Sequence, residues 1–210
     1  MSPNSRSRFG LPLIFCLLFT PAMAHDSGHW QSAEQMTDAA QAFVASLDTS
    51  QKEVAVFPLD DSGRTTWSNL PIIMVRPGGL LLSEMNAEQR IATHRLLRDS
   101  MSSQGYAKFA GIMRLEDQAH LDAQEQLKNN PDAQPMGRAF ADSYDSTNYA
   151  VAIFGDPGQE NWGWKIAGHH AAVNFTVSNG RVGFTPTFLG SHPMVVQSGK
   201  HAGLMVLPQE

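Results

Sequence analysis

Apolar residues recur at helical spacing before residue 130 and in strand-like runs after residue 148. Met36, Ala39, Ala40, Phe43 and Leu47 follow Ser32 and Gln35, a pair whose types and separation fit a capping box at the start of a first helix. From 48 to 82 the pattern breaks into turn signals, Asp60-Asp61-Ser62-Gly63 and Pro77-Gly78-Gly79, with short strands expected at 54–57 and 72–75. A second helix is predicted from an Asn86 cap, backed by Gln89, to about Ser100. A third is predicted from about Gln104 to Leu127. Its buried side carries Tyr106, Phe109, Ile112, Met113 and Leu121, and Asn129-Asn130-Pro131-Asp132 closes it.

Residues 149–154 form a continuous apolar run ended by Gly155-Asp156-Pro157-Gly158, the pattern of a buried strand and a turn. Trp162, Trp164 and Ile166 then alternate with Gly163, Lys165 and Ala167, as in a half-buried strand. Two further strands, 169–177 and 181–188, flank Ser178-Asn179-Gly180, and Asn-Gly between apolar runs is a strong hairpin signal. Helices come first and a meander second. Segregation of that kind predicts an α+β fold, with N-terminal helices packed on a C-terminal antiparallel β-meander. No repeat or low-complexity tract divides residues 25–210, which read as one globular domain.

Charge and composition narrow the setting. Arg6 and Arg8 precede an apolar stretch at 11–19, too short for a bilayer that needs about 20 residues; Pro21 and Ala22-Met23-Ala24 follow. Residues 1–24 therefore read as a secretory signal peptide cleaved after Ala24. The expected product is soluble, periplasmic or extracellular, with no stable membrane anchor. The one cysteine, Cys16, leaves with that segment, so the mature chain has neither a disulfide nor a thiol nucleophile and relies on its core. With 15 Lys+Arg against 20 Asp+Glu and no basic run, the chain offers no electrostatic footprint for nucleic acid, and no such partner is expected.

Candidate chemistry concentrates between Trp162 and Thr176. In a regular strand His169 shares a face with Ala171, Val173 and Phe175, and His170 shares the other with Ala172, Asn174 and Thr176. Two adjacent imidazoles then reach one ion only if the strand bulges, and Gly168 is the place expected for that bulge. His170 and Asn174, four residues apart, stand ~13 Å from each other along such a strand. Further ligands must come from elsewhere: His192, His201, His94, or Glu116, which sits four residues from His120. A divalent zinc, iron or copper ion on His169, His170, His192 and Glu116 is one expectation. Core histidines satisfied by ordinary hydrogen bonds are the other. Cleavage after Ala24 places His25 at the new N-terminus near His29, a nitrogen-rich alternative for copper. The sequence contains no Gly-x-Ser-x-Gly, P-loop, His-Glu-x-x-His or Cys-x-x-Cys pattern.

Several pieces match a family pattern in order and spacing. They are Phe57-Pro58-Leu59-Asp60-Asp61 with Arg64 and Trp67, and Gln104-Gly105-Tyr106 ahead of Ile112-Met113-Arg114-Leu115-Glu116. Phe154-Gly155-Asp156-Pro157-Gly158 follows, then Trp162-Gly163-Trp164, Gly168-His169-His170, Asn174-Phe175-Thr176, Gly190 and Pro193. Over about residues 32–206 the chain resembles a bacterial family known as domain of unknown function 3500. The resemblance implies no activity. It places Arg64, Glu116, Trp164, His169, His170 and Asn174 at family positions, and it implies members that run on past the equivalent of Pro208-Gln209-Glu210 with more histidines.

Three functions are expected from these residues. The first is an exported metal-assisted hydrolase acting on a small molecule or peptide. His169, His170, Glu116 and Asn174 would be catalytic there, and Trp162, Trp164 and Arg64 would bind substrate. The second is a non-catalytic binding protein for copper or a small ligand, using His25, His29, Met194 and Met205. The third is a structural or partner-binding domain.

Overall fold

A computed structural model describes residues 27–130 and 132–208. The expected signal peptide, its cleavage site and His25 lie outside the described residues. The chain is α+β, as its pattern predicts. Among the described residues five helices, α1 (Ser27–Ser46), α2 (Thr49–Ala55), α3 (Ala87–Ser100), α4 (Ser103–Asn129) and α5 (Pro135–Ser143), accompany one sheet. Its strands are β1 (Val56–Phe57), β2 (Leu80–Leu81), β3 (Ala150–Phe154), β4 (Asn161–Gly168), β5 (Ala171–Ser178) and β6 (Arg181–Leu189). No helix of the described residues is long and apolar enough to cross a membrane.

β3 to β6 form the expected antiparallel meander in consecutive order. β1 and β2 share the remaining edge of β3, with β1 parallel to it and β2 antiparallel, which makes the sheet mixed. Gly79 lets β2 arrive there: its φ is +124°, and a Cβ would lie 2.4 Å from the Val151 carbonyl oxygen. The Asn179-Gly180 hairpin forms as predicted, both residues having positive φ.

The local caps explain where helices begin. Asn86 accepts from the Gln89 amide at 2.9 Å, and the Gln89 side chain accepts from the Asn86 amide at 3.0 Å, completing the box that starts α3. α2 has the same device, Asp48 with Gln51. It was open to the same reading, yet this region was expected to be irregular. The start expected at Ser32 lies inside α1, which already runs from Ser27. Residues 72–75 make a turn rather than a strand: the Met74 and Val75 amides both donate to the Pro71 carbonyl, at 2.8 and 3.1 Å. Residues 54–57 divide between α2 and β1. Leu121, expected on the buried side of α4, is 63% exposed, since α4 there turns His120 and not Leu121 toward α5.

The core lies between the helices and one face of the sheet. Trp162, Trp164, Val173 and Phe175 pack there against Phe43 and Phe109. β4 is buried on both faces, not one. Its second face, with Gly163, Lys165 and Ala167, is roofed by the segment from 58 to 79. Lys165 Nζ donates to the carbonyls of Gly63 and Thr66, at 2.5 and 2.8 Å, and Arg64 donates to the Thr176 hydroxyl at 2.7 Å.

Candidate metal centre

β4 ends at Gly168 and β5 begins at Ala171, so His169 and His170 are the two-residue turn between them, not part of a strand. The expected bulge at Gly168 is replaced by this reversal. Gly168 pairs regularly with Ala171, and the register shifts instead between β5 and β6, at Val173/Phe175. Gly168 has a different duty, because a Cβ there would meet the Tyr149 ring at 2.6 Å. His170 takes φ 63°, a left-handed conformation that histidine adopts more readily than most residues. Distant groups hold the turn. The Tyr149 hydroxyl donates to the His169 carbonyl. The His170 amide donates to the Asn69 carbonyl at 3.3 Å, and the Gly190 amide donates to the His170 carbonyl at 2.7 Å.

Chain reversal does what strand alternation forbids and aims both imidazoles the same way. Their ring centres lie 3.6 Å apart. They meet Glu116, which occupies the inward stripe of α4 with Phe109, Ile112 and Met113 and is only 3% exposed at its side chain. His169 Nδ1 lies 2.8 Å from Glu116 Oε2, and His170 Nδ1 lies 3.3 Å from Oε1. An ionised carboxylate can only accept, so both Nδ1 atoms carry the proton in this arrangement. Burial pushes the Glu116 carboxyl upward, but the hydrogen bonds and charges of the two imidazoles outweigh it and hold the group below the ordinary glutamate value.

Ligand atoms of Glu116, His169 and His170 all lie within 4.8 Å of one another, so the three can hold a metal ion. The histidine side chains, 12% and 21% exposed, leave one side of the cluster open. Two further rings flank it. Tyr144 stacks on His169 with centres 5.7 Å apart, and His192 stacks on His170 at 5.8 Å. Both rings also line a groove of about 480 Å³ with Ala119, Asp122, Pro193 and Gln197. Burial and the nearby Glu116 charge raise the Tyr144 phenol, and the same causes raise the more deeply buried Tyr149 well above its usual value.

The other sequence candidates go elsewhere. His192 is a neighbour of the cluster but not one of its three converging ligands. Asn174 and Arg64 belong to the opposite sheet face. Asn174 pairs in register with Lys165, and its amide donates to the Pro186 carbonyl at 2.8 Å, so it cannot orient a substrate at the histidines. Trp162 and Trp164 are fully buried core side chains, which leaves neither ring a face for substrate. His120 Nδ1 bonds the Ala141 carbonyl at 2.9 Å and ties α5 to α4, so the Glu116/His120 pair does not act together. His94 pairs with the Tyr106 hydroxyl at 3.2 Å, and His201 is exposed in a short terminal turn. Met194 and Met205 are exposed as well. His29 falls near the start of α1. Tyr144 and Tyr149 were not anticipated: their contacts with His169 span 25 and 20 residues of sequence, and no local motif announces them.

A family model described as protein of unknown function (DUF3500) matches residues 29–210. The chain belongs to this family. Its match takes in every residue of the Glu116–His169–His170 cluster and both flanking rings. No curated protein and no solved structure matches the chain. For this DUF3500 member, then, the chemistry rests on the cluster itself.

Proposed function

We propose that this DUF3500 chain is an exported metal-dependent hydrolase, with a divalent transition metal on Glu116, His169 and His170 and a small molecule or peptide in the adjoining groove. The observation that carries this is the convergence of a buried carboxylate and two imidazoles within 4.8 Å. Two histidines and a glutamate are a donor set used for catalytic zinc, and a two-histidine, one-carboxylate set also suits iron(II); either leaves positions open for water and substrate. Zinc fits best with hydrolysis, since a bound ion polarises a carbonyl and makes water a usable nucleophile near neutral pH. His192, next in the ring stack, is the proposed proton acceptor, and Tyr144 is a wall of the groove that fixes the substrate.

Calorimetric titration of chelator-stripped protein with zinc, followed by thermal unfolding, tests the metal. The expected result is one ion per chain and a higher midpoint with zinc. His169→Ala and His170→Ala should each weaken binding. No stoichiometric uptake, together with identical melts in zinc and in chelator, would sink the proposal. It would leave the purely structural reading, which one observation favours: Glu116 already satisfies both Nδ1 atoms without an ion.

A further inference from the structure

We propose that the opposite face of the sheet carries a second site, which takes a small organic monocarboxylate onto Lys165. The starting point is a buried cation without a counter-ion. Lys165 is 3% exposed at the middle of β4. Its Nζ donates to the Gly63 carbonyl at 2.5 Å and to the Thr66 carbonyl at 2.8 Å. An ammonium has three donors, and those two bonds leave one. Among the described residues no carboxylate makes an ion pair with it. Asp61 acts on it only through space, its Oδ1 being engaged by the Gly63 amide at 2.7 Å. The Phe154 ring, 5.7 Å from Nζ, offers a cation–π contact but no negative charge, so the ammonium is withdrawn from water without a counter-ion, and an anion delivered to the free N–H relieves that.

Space for the anion is present. Lys165 lines a cavity of about 170 Å³ whose walls include Ala167, Trp67, Val75 and Pro77. Ser62, Thr66 and Ser68 also line it, but the larger part of its wall is apolar and suits a hydrocarbon or aromatic body behind a single carboxylate. Arg76, at the rim, is already paired with Glu84 at 2.8 Å. A phosphate or dicarboxylate would bring surplus charge that the lining meets with no second free cation, since Arg76 is paired. The backbone supports the same choice: the two carbonyls that hold Nζ point their negative ends at it, fixing the ammonium in place without neutralising it. This site needs no metal and does not depend on the function proposed for the histidine cluster.

Calorimetric titration of the full chain with sodium benzoate, benzamide and inorganic phosphate tests it. Benzoate should bind saturably at one per chain. Benzamide, of the same shape without the charge, and phosphate should bind at least about tenfold more weakly, the least expected from losing a charge-assisted hydrogen bond. Lys165→Met should remove benzoate binding. Because Lys165 also anchors residues 63–66, Ala167→Met serves as the second variant: it fills the cavity, leaves both Nζ bonds in place, and should abolish binding too. Zinc uptake should be the same in the Ala167→Met variant as in the unaltered chain. Absence of saturable benzoate binding up to about 10 mM, equal binding of benzamide, or full binding by Ala167→Met would each overturn the proposal.

Discussion

Replacing Glu116 by glutamine keeps the side chain's shape and removes its charge, which makes it the sharpest probe of the histidine cluster. Each carboxylate oxygen accepts from one imidazole, at 2.8 Å from His169 and 3.3 Å from His170. An amide has one accepting oxygen. The other imidazole must face an N–H₂ group and move its proton to Nε2 to avoid meeting donor with donor. Hydrogen bonds to charged groups contribute roughly 1.5–3 kcal/mol each and neutral ones roughly 0.5–1.5. Burying an amide is easier than burying a carboxylate, which offsets part of the loss. The net direction follows from Glu116 itself, whose ionised form the folded chain favours despite burial. The expected destabilisation is about 1–3 kcal/mol, or a midpoint roughly 2–12 °C lower for a domain of this size.

Circular-dichroism melts and urea unfolding measure that change. Double-mutant cycles with His169→Ala and His170→Ala should show the stronger coupling at His169, whose contact is shorter. Zinc affinity should fall by more than the roughly 10–100-fold typical of an outer-sphere partner, because a ligand charge is lost. A Glu116→Gln chain within about 0.5 kcal/mol of the unaltered one, and equal to it in zinc affinity, would refute the account, since surface-like substitutions behave that way.

Other perturbations test the surroundings. Gly168→Ala places a Cβ 2.6 Å from the Tyr149 ring and 2.9 Å from the Asn148 carbonyl oxygen, so urea unfolding should show a loss of about 1–3 kcal/mol, and a melt matching that of the unaltered chain would contradict the clash. Gln89→Ala keeps the Asn86 cap but removes the returning half of the α3 capping box and the 2.9 Å bond to the Ser46 carbonyl at the end of α1; a loss of about 1–2 kcal/mol is expected, and no change would mean that this polar junction contributes nothing. Burial depresses the Lys165 ammonium, with Asp61 opposing, so between its folded and unfolded pKa values the unfolded chain binds more protons. Stability relative to Lys165→Met should therefore rise as alkaline pH approaches the ordinary lysine value and stay flat below the folded value; a fall over that range would reverse the assigned sign.

What the sequence made legible was local. The Asn86/Gln89 box and the Asn179-Gly180 turn depend on neighbours within a few residues, and both form as read. The Asp48/Gln51 box was equally local but stood too close to the end of α1 to suggest a new helix. Glu116 also left a trace, as a charge on the stripe of Phe109, Ile112 and Met113. The histidine turn left none. The histidines read as the opening residues of a strand at 169–177, with a bulge at Gly168, whereas the turn they actually form is held by Tyr149, Asn69 and Gly190, each remote in sequence. Arg64 and Asn174 show the complementary error: a family pattern identifies positions without saying which face of the sheet they occupy.

The turn matters more than the identity of its two residues. Along a strand, adjacent side chains diverge, and a histidine pair there could offer one ring to α4 at most. At the reversal between β4 and β5 the backbone changes direction within two residues, and both rings reach the same carboxylate. Such a turn is useful only if it cannot relax, and flexible hairpin ends usually do. Here the Tyr149 hydroxyl, the Asn69 carbonyl and the Gly190 amide restrain it, while Tyr144 and His192 bracket the rings. A ligand set fixed before its ion arrives loses little conformational freedom on binding, the condition under which a site with only three protein ligands can hold a metal and still leave a position open.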